Sequence, residues 1–474
     1  MNQYLNLHAL TTFNSVLLVR DENGQAKQTP FGTAPRHMVT SFCQRRAERT
    51  YLRDQANLAE GALAPYAFGT RTREWGRLAA DILACRDWTY PEAMGATKES
   101  LQALGINFGT KDSTADLTKV LIFAPDTAAE QIADALDEHR TELTAWLADV
   151  ARAREEMEKQ KNKKGKKKTD AEADGPAESA GSGGPGKAGV KVPPLPRRLK
   201  KKLLTALAPA DAIDIALFGR FLAEVAESPD VDGALQSMNS ITVHPASGVE
   251  DFYSAADDSK LRRRTHRTPS PNVGALDALE EIDALNQAAE GEEEQVREER
   301  GAGLTGYQSL TSGTFLSHTV LDRHQLRRNL TEAGMSEEAA ETAARAAEAA
   351  FIEAFCNAVP AAKKNNTAAP GTMRKLVHAF TSARPYNYVS CFEDAVDEKN
   401  GPASLQATRR LLDQHALISR KNGVEPGAVL TYDLAVTQLL QDLRDQGRLQ
   451  PTEVDTPRDL ATTTPVPAPA GAPA

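Results

Sequence analysis

The chain has 474 residues, 41% of them hydrophobic and 5% aromatic, and carries a formal net charge of −9. That length exceeds one ordinary domain, the apolar content allows a core but not a rich one, and no apolar run approaches the roughly 18–20 residues that span a bilayer. The N-terminal MNQYLNLHALTTF has neither a charged leader region nor a cleavage-site pattern, so the expectation is a cytoplasmic protein with no membrane contact. The acidic balance argues only superficially against nucleic acid, because the acid is concentrated in Glu280–Glu299 while basic patches lie elsewhere, and local charge decides phosphate binding. Four scattered cysteines (Cys43, Cys85, Cys356, Cys391) without a CxxC pair read as reduced structural thiols.

In chain order, residues 4–10 alternate well enough for an opening strand, and 17–24 run into a turn marked by Asn23-Gly24. Met38-Val39 leads to Thr40-Ser41, a helix N-cap signal, behind which Arg45, Arg49 and Arg53 recur at every fourth residue with Arg46 alongside. On a helix this spacing stacks the guanidiniums along one face, where like charges repel. An anionic partner such as RNA or DNA phosphate would relieve that cost, and a solvated surface helix is the alternative. Residues 55–150 read as helical, with Trp75, Leu78 and Ile82 at helical spacing and 127–150 as one amphipathic helix. Lys159–Lys168 and the Ala/Gly/Pro/Ser/Glu stretch to about Lys191 lose apolar periodicity and read as a disordered insertion. The lysines either touch nucleic acid nonspecifically or are simply solvated.

Ile213–Phe218 reads as a buried strand that breaks at Gly219-Arg220-Phe221, followed by a helix-like segment with Val231, Ala234, Leu235 and Met238 on one face. A strand is expected at Ile241–His244. Asp251-Phe252-Tyr253 then places adjacent rings in a polar stretch, where either something stacks on them or the fold covers them. A second low-complexity segment spans about 259–300. Glycine-hinged strand sequence follows over 301–316, then a short helix from Asp322 to Leu330, and an Ala-rich helix capped at Ser336 and ending near Val359-Pro360. Strands are expected at Lys375–Phe380 and Asn387–Ser390, helices at about 403–420 and 434–446, and a disordered Pro/Ala-rich tail from Thr462. Strands contributed by distant segments with helical blocks between them predict an α+β fold with a small, mainly antiparallel sheet and inserted subdomains. An RNA-recognition-motif sheet belongs to that class and binds RNA through exposed aromatics.

Three blocks carry a family resemblance: NLHALTTFNSVLLVRDENGQAKQTPFG with SFCQRRAER; DIALFGRFLAE with VDGALQSMNSITVH and VEDFYSAADD; and LTSGTFLSHTVLDRHQLRRNL. Their order resembles the backbone subunit of the type I-E CRISPR surveillance complex, Cascade. The chain departs from the family pattern at Thr33, Phe42, Gln44 and Phe221, and at Leu316-Ser317-His318. The resemblance implies a hand-shaped subunit without catalysis, cofactor or metal. Its palm is a ferredoxin-like, RNA-recognition-motif antiparallel sheet, with a helical fingers insertion and an extended β-hairpin thumb. The implied division is palm at 1–58, 206–240 and 315–450; fingers at 59–205 with a disordered insertion at 155–200; thumb at 241–314 with a disordered acidic insertion at 259–300; and a disordered tail at 451–474. The implied partners are the CRISPR RNA (crRNA), the complementary target DNA strand, further copies stacked head to tail, and the large, small, 5′-handle-binding and crRNA-processing subunits. The implied RNA-binding set is Arg20, Arg36, Ser41, Arg45, Arg46, Arg49, Arg220, Phe221, His244, Phe252 and Tyr253.

Within that set Arg20, Arg45, Arg46 and Arg49 would hold phosphates without reading sequence. Phe221 would wedge a base out of the stack or else belong to the core. Phe252 and Tyr253 would flank the displaced nucleotide or pack beneath the thumb, and His244 suits a structural role as well as a contact. Two other classes stay open: a metal-dependent ribonuclease using Asp21 in its loop, and a generic module binding through Lys159–Lys168.

Overall fold

The computed structural model describes residues 3–57, 61–169, 192–210, 212–222, 230–256 and 302–463. The protein is α+β, built on a large, mostly antiparallel sheet. Strand β1 (Tyr4–Val16) lies at its centre, between β10 (Arg374–Ser382) and β9 (Ala302–Asp322), both antiparallel to it. Beyond β9 come β6 (Leu235–Ser237) and β7 (Ser240–Thr242), then β3 (Ala34–Val39) and β2 (Gln28–Phe31). Beyond β10 come β11 (Ala428–Leu430) and β12 (Thr452–Glu453), the latter in parallel. Helix α1 (Ser41–Asn57) follows β1 and β3, and helices α8 (Arg323–Glu332) and α9 (Glu337–Asn357) follow β9. The chain therefore runs strand, helix, strand, strand, helix, strand through β1, α1, β6/β7, β9, α9 and β10, in the spatial order β10-β1-β9-β7.

The period-2 alternation of β1 sends its side chains into two different cores. Leu5, Leu7 and Ala9 pack with Leu52 of α1 and with Phe351, Ile352 and Phe355 of α9. On the other face Leu10 joins Leu316, Leu376 and Phe380 beneath α10 (Ala403–Asn422) and α11 (Leu434–Asp445). The second face also holds a buried stack. The His8 ring lies 4.2 Å from His318 and 4.7 Å from Tyr388, and His415 sits 4.4 Å from His378 and 4.5 Å from Phe380. An exposed aromatic platform on the sheet is thus not what this chain builds, because two C-terminal helices cover that face.

Charged side chains also enter the interior, with partners. Arg323 and Glu348, both buried, form a bidentate pair that ties the start of α8 to α9, with Nε to Oε2 at 2.9 Å. Arg374, wholly buried, donates to the Phe355 and Ala358 carbonyls that end α9 and to Thr11 Oγ1. Asp322 and Ser336 cap α8 and α9 through backbone N–H groups, as their positions predict.

A separate apolar cluster belongs to the segment between α1 and residue 222. It unites Trp75, Leu83, Leu101, Ile132, Leu136, Leu143, Trp146, Leu199 and Leu203 from α2 (Trp75–Ala84), α3 (Tyr90–Ala103), α4 (Ala128–Glu138), α5 (Arg140–Thr169) and α6 (Arg197–Ala206) with Leu222. A two-stranded antiparallel sheet of β4 (Gly69–Thr72) and β5 (Ile122–Pro125), with α2 and α3 between them in sequence, stands within this otherwise helical stretch. The amphipathic run at 127–150 is two helices, since α4 ends at His139, whose ring nitrogen reaches the Ala135 carbonyl at 3.1 Å.

Several expectations are corrected. Ile213–Phe218 is a short helix, α7, because five of its six residues are buried and the run has no alternation to enforce. Residues around 231–238 are extended rather than helical: Val231 pairs with Arg220, and Leu235–Ser237 joins β9. Asn387–Ser390 makes no strand; it leads into a 3₁₀ turn at Val389–Phe392. The backbone of α5 is helical as far as Thr169, into the lysine tract, and α6 starts at Arg197, so both ends of the expected 155–200 insertion are helical, while residues 170–191 lie outside the described residues. Order also continues into the tail, where α12 (Pro457–Thr463) buries Leu460. The acidic insertion at 259–300 and the residues after Thr463 lie outside the described residues.

The imidazole stack makes stability depend on acid. Burial pushes His318 and His415 down to about 4 and His8 and His378 well below the usual histidine range. The unfolded chain therefore takes up protons below pH 6.5 that the folded chain refuses, and stability falls as pH drops from 6.5 towards 4. Thermal denaturation should show a Tm that declines over that range. His415→Phe, which loses the Tyr388 hydroxyl contact at 3.0 Å, should cost about 1 kcal/mol at pH 7 yet flatten the acid limb.

Candidate nucleic-acid interface

Helix α1 presents Arg45, Arg46 and Arg49 to a cleft of about 880 Å³, whose lining also includes Phe42, Arg71, Phe123, Phe218, Gly219, Arg220 and Phe221. Five arginines face two aspartates there, Asp230 and Asp232. The stripe at every fourth residue does share one face, but the guanidiniums differ in what holds them. Arg45 donates to the Phe218 carbonyl at 2.6 Å and lies 5.5 Å over the Phe218 ring. Arg49 lies 4.9 Å over Phe123. Arg53 turns away to the Gly69 carbonyl and to Asp126. Arg46 is exposed. Two cations are thus pre-positioned on aromatic rings while Arg46 stands at the mouth.

The second wall is made by a turn. Gly219 has φ +76°, and a Cβ there would sit 2.5 Å from Gly233 N and 2.8 Å from the Val231 carbonyl, so glycine is required both by conformation and by space. Past it, Arg220 and Val231 exchange both backbone hydrogen bonds at 2.8 Å, and Asp230 Oδ1 accepts the Leu222 N–H. In this extended segment the side chains alternate. Arg220 and Leu222 point inward, and Phe221 is left 75% exposed.

Beneath the cleft lie two buried carboxylates. Asp214 Oδ1 accepts the Gly69 N–H at 2.7 Å, and burial raises its carboxyl to about 6 against the opposing pull of that N–H, Arg49 and Arg53. Glu48, on α1 between the arginines, accepts from Gln44 Nε2 at 3.1 Å. Its burial lifts the carboxyl to about 7, opposed by Gln44, Arg374 and Arg45.

The other expected site residues fall in three places. Ser41 opens α1, and its N–H is capped by Asn239 Oδ1 at 2.9 Å. Arg20 is exposed at the 20–26 loop, where Asp21 Oδ1 accepts the Asn23 and Gln25 N–H groups and closes the turn. Arg36, Arg220 and His244 are interior. Arg36 is wholly buried and donates to the Thr242 and Phe392 carbonyls at 3.1 and 2.9 Å. The Arg220 guanidinium, although it contributes to the cleft wall, ties the Leu207 and Phe123 carbonyls together. His244 Nε2 accepts the Thr314 N–H at 3.1 Å, beside Gly313 at φ +152°, where the register of β9 against β1 shifts. These three are fold-forming groups, drawn inward by carbonyls and amides that nothing else would satisfy.

Phe252 and Tyr253 lie on β8 (Gly248–Ala256), which pairs only with the outer half of β9, so the two strands stand out from the sheet as a ribbon. Strand β9 has 21 residues, roughly 70 Å at strand rise. Phe252 is half-exposed and packs at 5.3 Å on Tyr307, its partner across the strands, which is 73% exposed. Sequence reasoning missed Tyr307, and it missed Phe42, 80% exposed in the first turn of α1, and the exposed Arg71 on β4. Pairing of Phe252 with Tyr307 across 55 residues has no local signal. Phe42 had one, as a ring placed directly before an arginine stripe.

Among the described residues no cluster of three His, Cys, Asp or Glu side chains could hold a metal ion, and no helix is long and apolar enough to cross a membrane. Fold and site together define an α+β protein with an arginine-rich, aromatic-rimmed cleft and a projecting two-stranded ribbon. The chain belongs to the CT1975-like protein family, whose model matches residues 5–275 and 291–449. Its fold is similar over nearly the whole length to a chain of a "CRISPR RNA-guided surveillance complex, pre-nicking", with TM-score 0.66 and 23% identity, covering 97% of this chain and 98% of that one. A chain of a second "CRISPR RNA-guided surveillance complex" matches with TM-score 0.59 and 20% identity over the same shares. No curated protein matches it.

Two variants test this local reading. Gly219→Ala should destabilise the chain by about 1–3 kcal/mol, measured by denaturant unfolding, because a Cβ meets the Gly233 backbone. Glu48→Gln should leave stability at pH 5 nearly unchanged and raise it at pH 8. The folded-state carboxyl keeps its proton up to about 7 while the unfolded one gives it up near 4.5, so stability is lost as pH rises across that window, and the amide does not titrate and escapes the loss.

Proposed function

We propose that the protein is the non-catalytic backbone subunit of a type I-E Cascade surveillance complex, in which several copies polymerise head to tail along a crRNA. Each copy holds the phosphate backbone without reading sequence, and the guide bases it leaves free pair with complementary target DNA. On this reading the βαββαβ portion of the sheet is an RNA-recognition-type palm, the helical cluster of 69–207 the fingers, and the β8–β9 ribbon the thumb. The remaining partners are the large, small, 5′-handle-binding and crRNA-processing subunits, and the setting is cytoplasmic.

The observation that carries the reading is the cleft: Arg45, Arg46 and Arg49 share it with Arg71 and an exposed Phe221, in a chain that shares its fold end to end with a component of an RNA-guided complex. Guanidiniums that hold phosphates carry no sequence information, which suits a binder of any guide sequence. A non-catalytic role is proposed because Asp21, the carboxylate in the comparable loop, is occupied in closing its own turn, and no step of RNA holding needs a nucleophile.

Binding of crRNA as a function of salt tests it. Each phosphate contact contributes about −0.7 to the log–log slope on single strands. Arg46→Glu combined with Arg49→Glu should make the slope shallower by about 1.4 and abolish multi-copy assembly on the RNA. An unchanged slope in a folded variant removes the cleft from the RNA path and with it this proposal.

A further inference from the structure

Beyond the phosphate-holding arginines, the cleft has a second chemistry at its rim. Phe42 and Phe221 are among the most exposed large apolar side chains among the described residues, at 80% and 75%, and both line the same cleft. They come from unrelated elements: Phe42 from the first turn of α1, Phe221 from the strand-like segment after Gly219. Neither is a product of core packing. Phe42 lies outside the apolar clusters, whereas the interior rings of the same cleft, Phe123 and Phe218, are occupied beneath Arg49 and Arg45. Isolated exposed rings are unremarkable in a soluble protein, but two on one cleft, among five arginines and two aspartates, are not a random surface. The charge selects a polyanion. The rings select one with planar, apolar faces, which is a single strand with unstacked bases rather than a duplex.

We infer that Phe42 is a base-stacking residue of the cleft, seating an unstacked base of the bound RNA together with Phe221 while Arg46 and Arg71 take the adjoining phosphates. The inference rests on the proposed RNA-holding role and adds to it a contact independent of charge. Stacking on a ring is tolerant of base identity, because every base has a π-face, so the contact keeps the binder indifferent to guide sequence. It also gives the arginine-bearing helix a fixed register on the strand, since a base lodged at Phe42 sets which phosphates reach Arg46.

The test uses the full chain and single-stranded RNAs carrying 2-aminopurine at successive positions, whose fluorescence reports stacking. Wild type should quench the probe at defined positions. Phe42→Ala should abolish the change at those positions and weaken binding about ten-fold, the lower part of the range for one base–aromatic stack, with the salt slope unaltered. Phe42→Tyr should restore both and Phe42→Leu neither. Because Phe42 is exposed, these substitutions leave the core intact, and a thermal melt confirms it. Phe42→Ala that binds and quenches like wild type overturns the inference. So does Phe42→Leu that performs as well as phenylalanine, and so does Phe42→Ala that keeps RNA affinity while losing contact between copies, which would make the ring a protein contact. The arginine pair reads out separately: an altered slope with an intact Phe42→Ala complex sinks only the stacking residue, whereas a wild-type chain that binds no RNA removes both.

Discussion

The structure depends on a central strand buried on both faces. In β1 the alternating residues Leu5, Leu7 and Ala9 face α1 and α9, while Asn6, His8 and Leu10 face the C-terminal layer. With both faces of β1 covered, the centre of the sheet offers no surface to a ligand. The exposed chemistry is accordingly at the margin: one face of α1, the turn after Gly219, and the ribbon that β9 forms beyond Thr311, its last pairing with β1. The covering layer is held partly by imidazoles that must stay neutral, so the arrangement that closes the sheet also makes it sensitive to acid.

Arginine does two kinds of work in this chain, separated by what lies within reach. Where helix ends and loops leave carbonyls without partners, as at Phe355, Ala358, Phe392 and Leu207, a guanidinium is drawn in to satisfy them. Leaving such groups unpaired would cost on the order of 1–3 kcal/mol each. Where the neighbours are aromatic faces, as at Phe123 and Phe218, the guanidinium is steadied yet keeps its charge available. The buried Asp214 carboxyl lies close enough to Arg49 and Arg53 to interact with their charges.

Much of this was legible. The opening strand, α1 with its arginine face, the capped helices at 323 and 337 and the two C-terminal helices all carry periodicity or cap chemistry that local sequence determines. Ile213–Phe218 was misread because a short buried run, apolar except for Asp214, looks the same as strand or as buried helix. Val231–Met238 was misread because its apolar spacing suits a helix, whereas pairing with Arg220 and with β9 supplies hydrogen bonds no local pattern announces. Arg36 and Arg220 look like surface residues in sequence, since burial of a cation depends on carbonyls brought in by other segments.

By itself, then, the sequence determined an α+β chain with a helix bearing aligned guanidiniums, a glycine turn ahead of an isolated phenylalanine, and low-complexity stretches between folded blocks. These are properties of spacing and backbone freedom that reside within a few residues. Only the tertiary structure decided which arginines are interior ties and which line the cleft, that both faces of the central strand are covered, and that Phe42 and Phe221 line one cleft. Each of those outcomes rests on long-range packing, where the environment of a side chain is set by residues one or two hundred positions away.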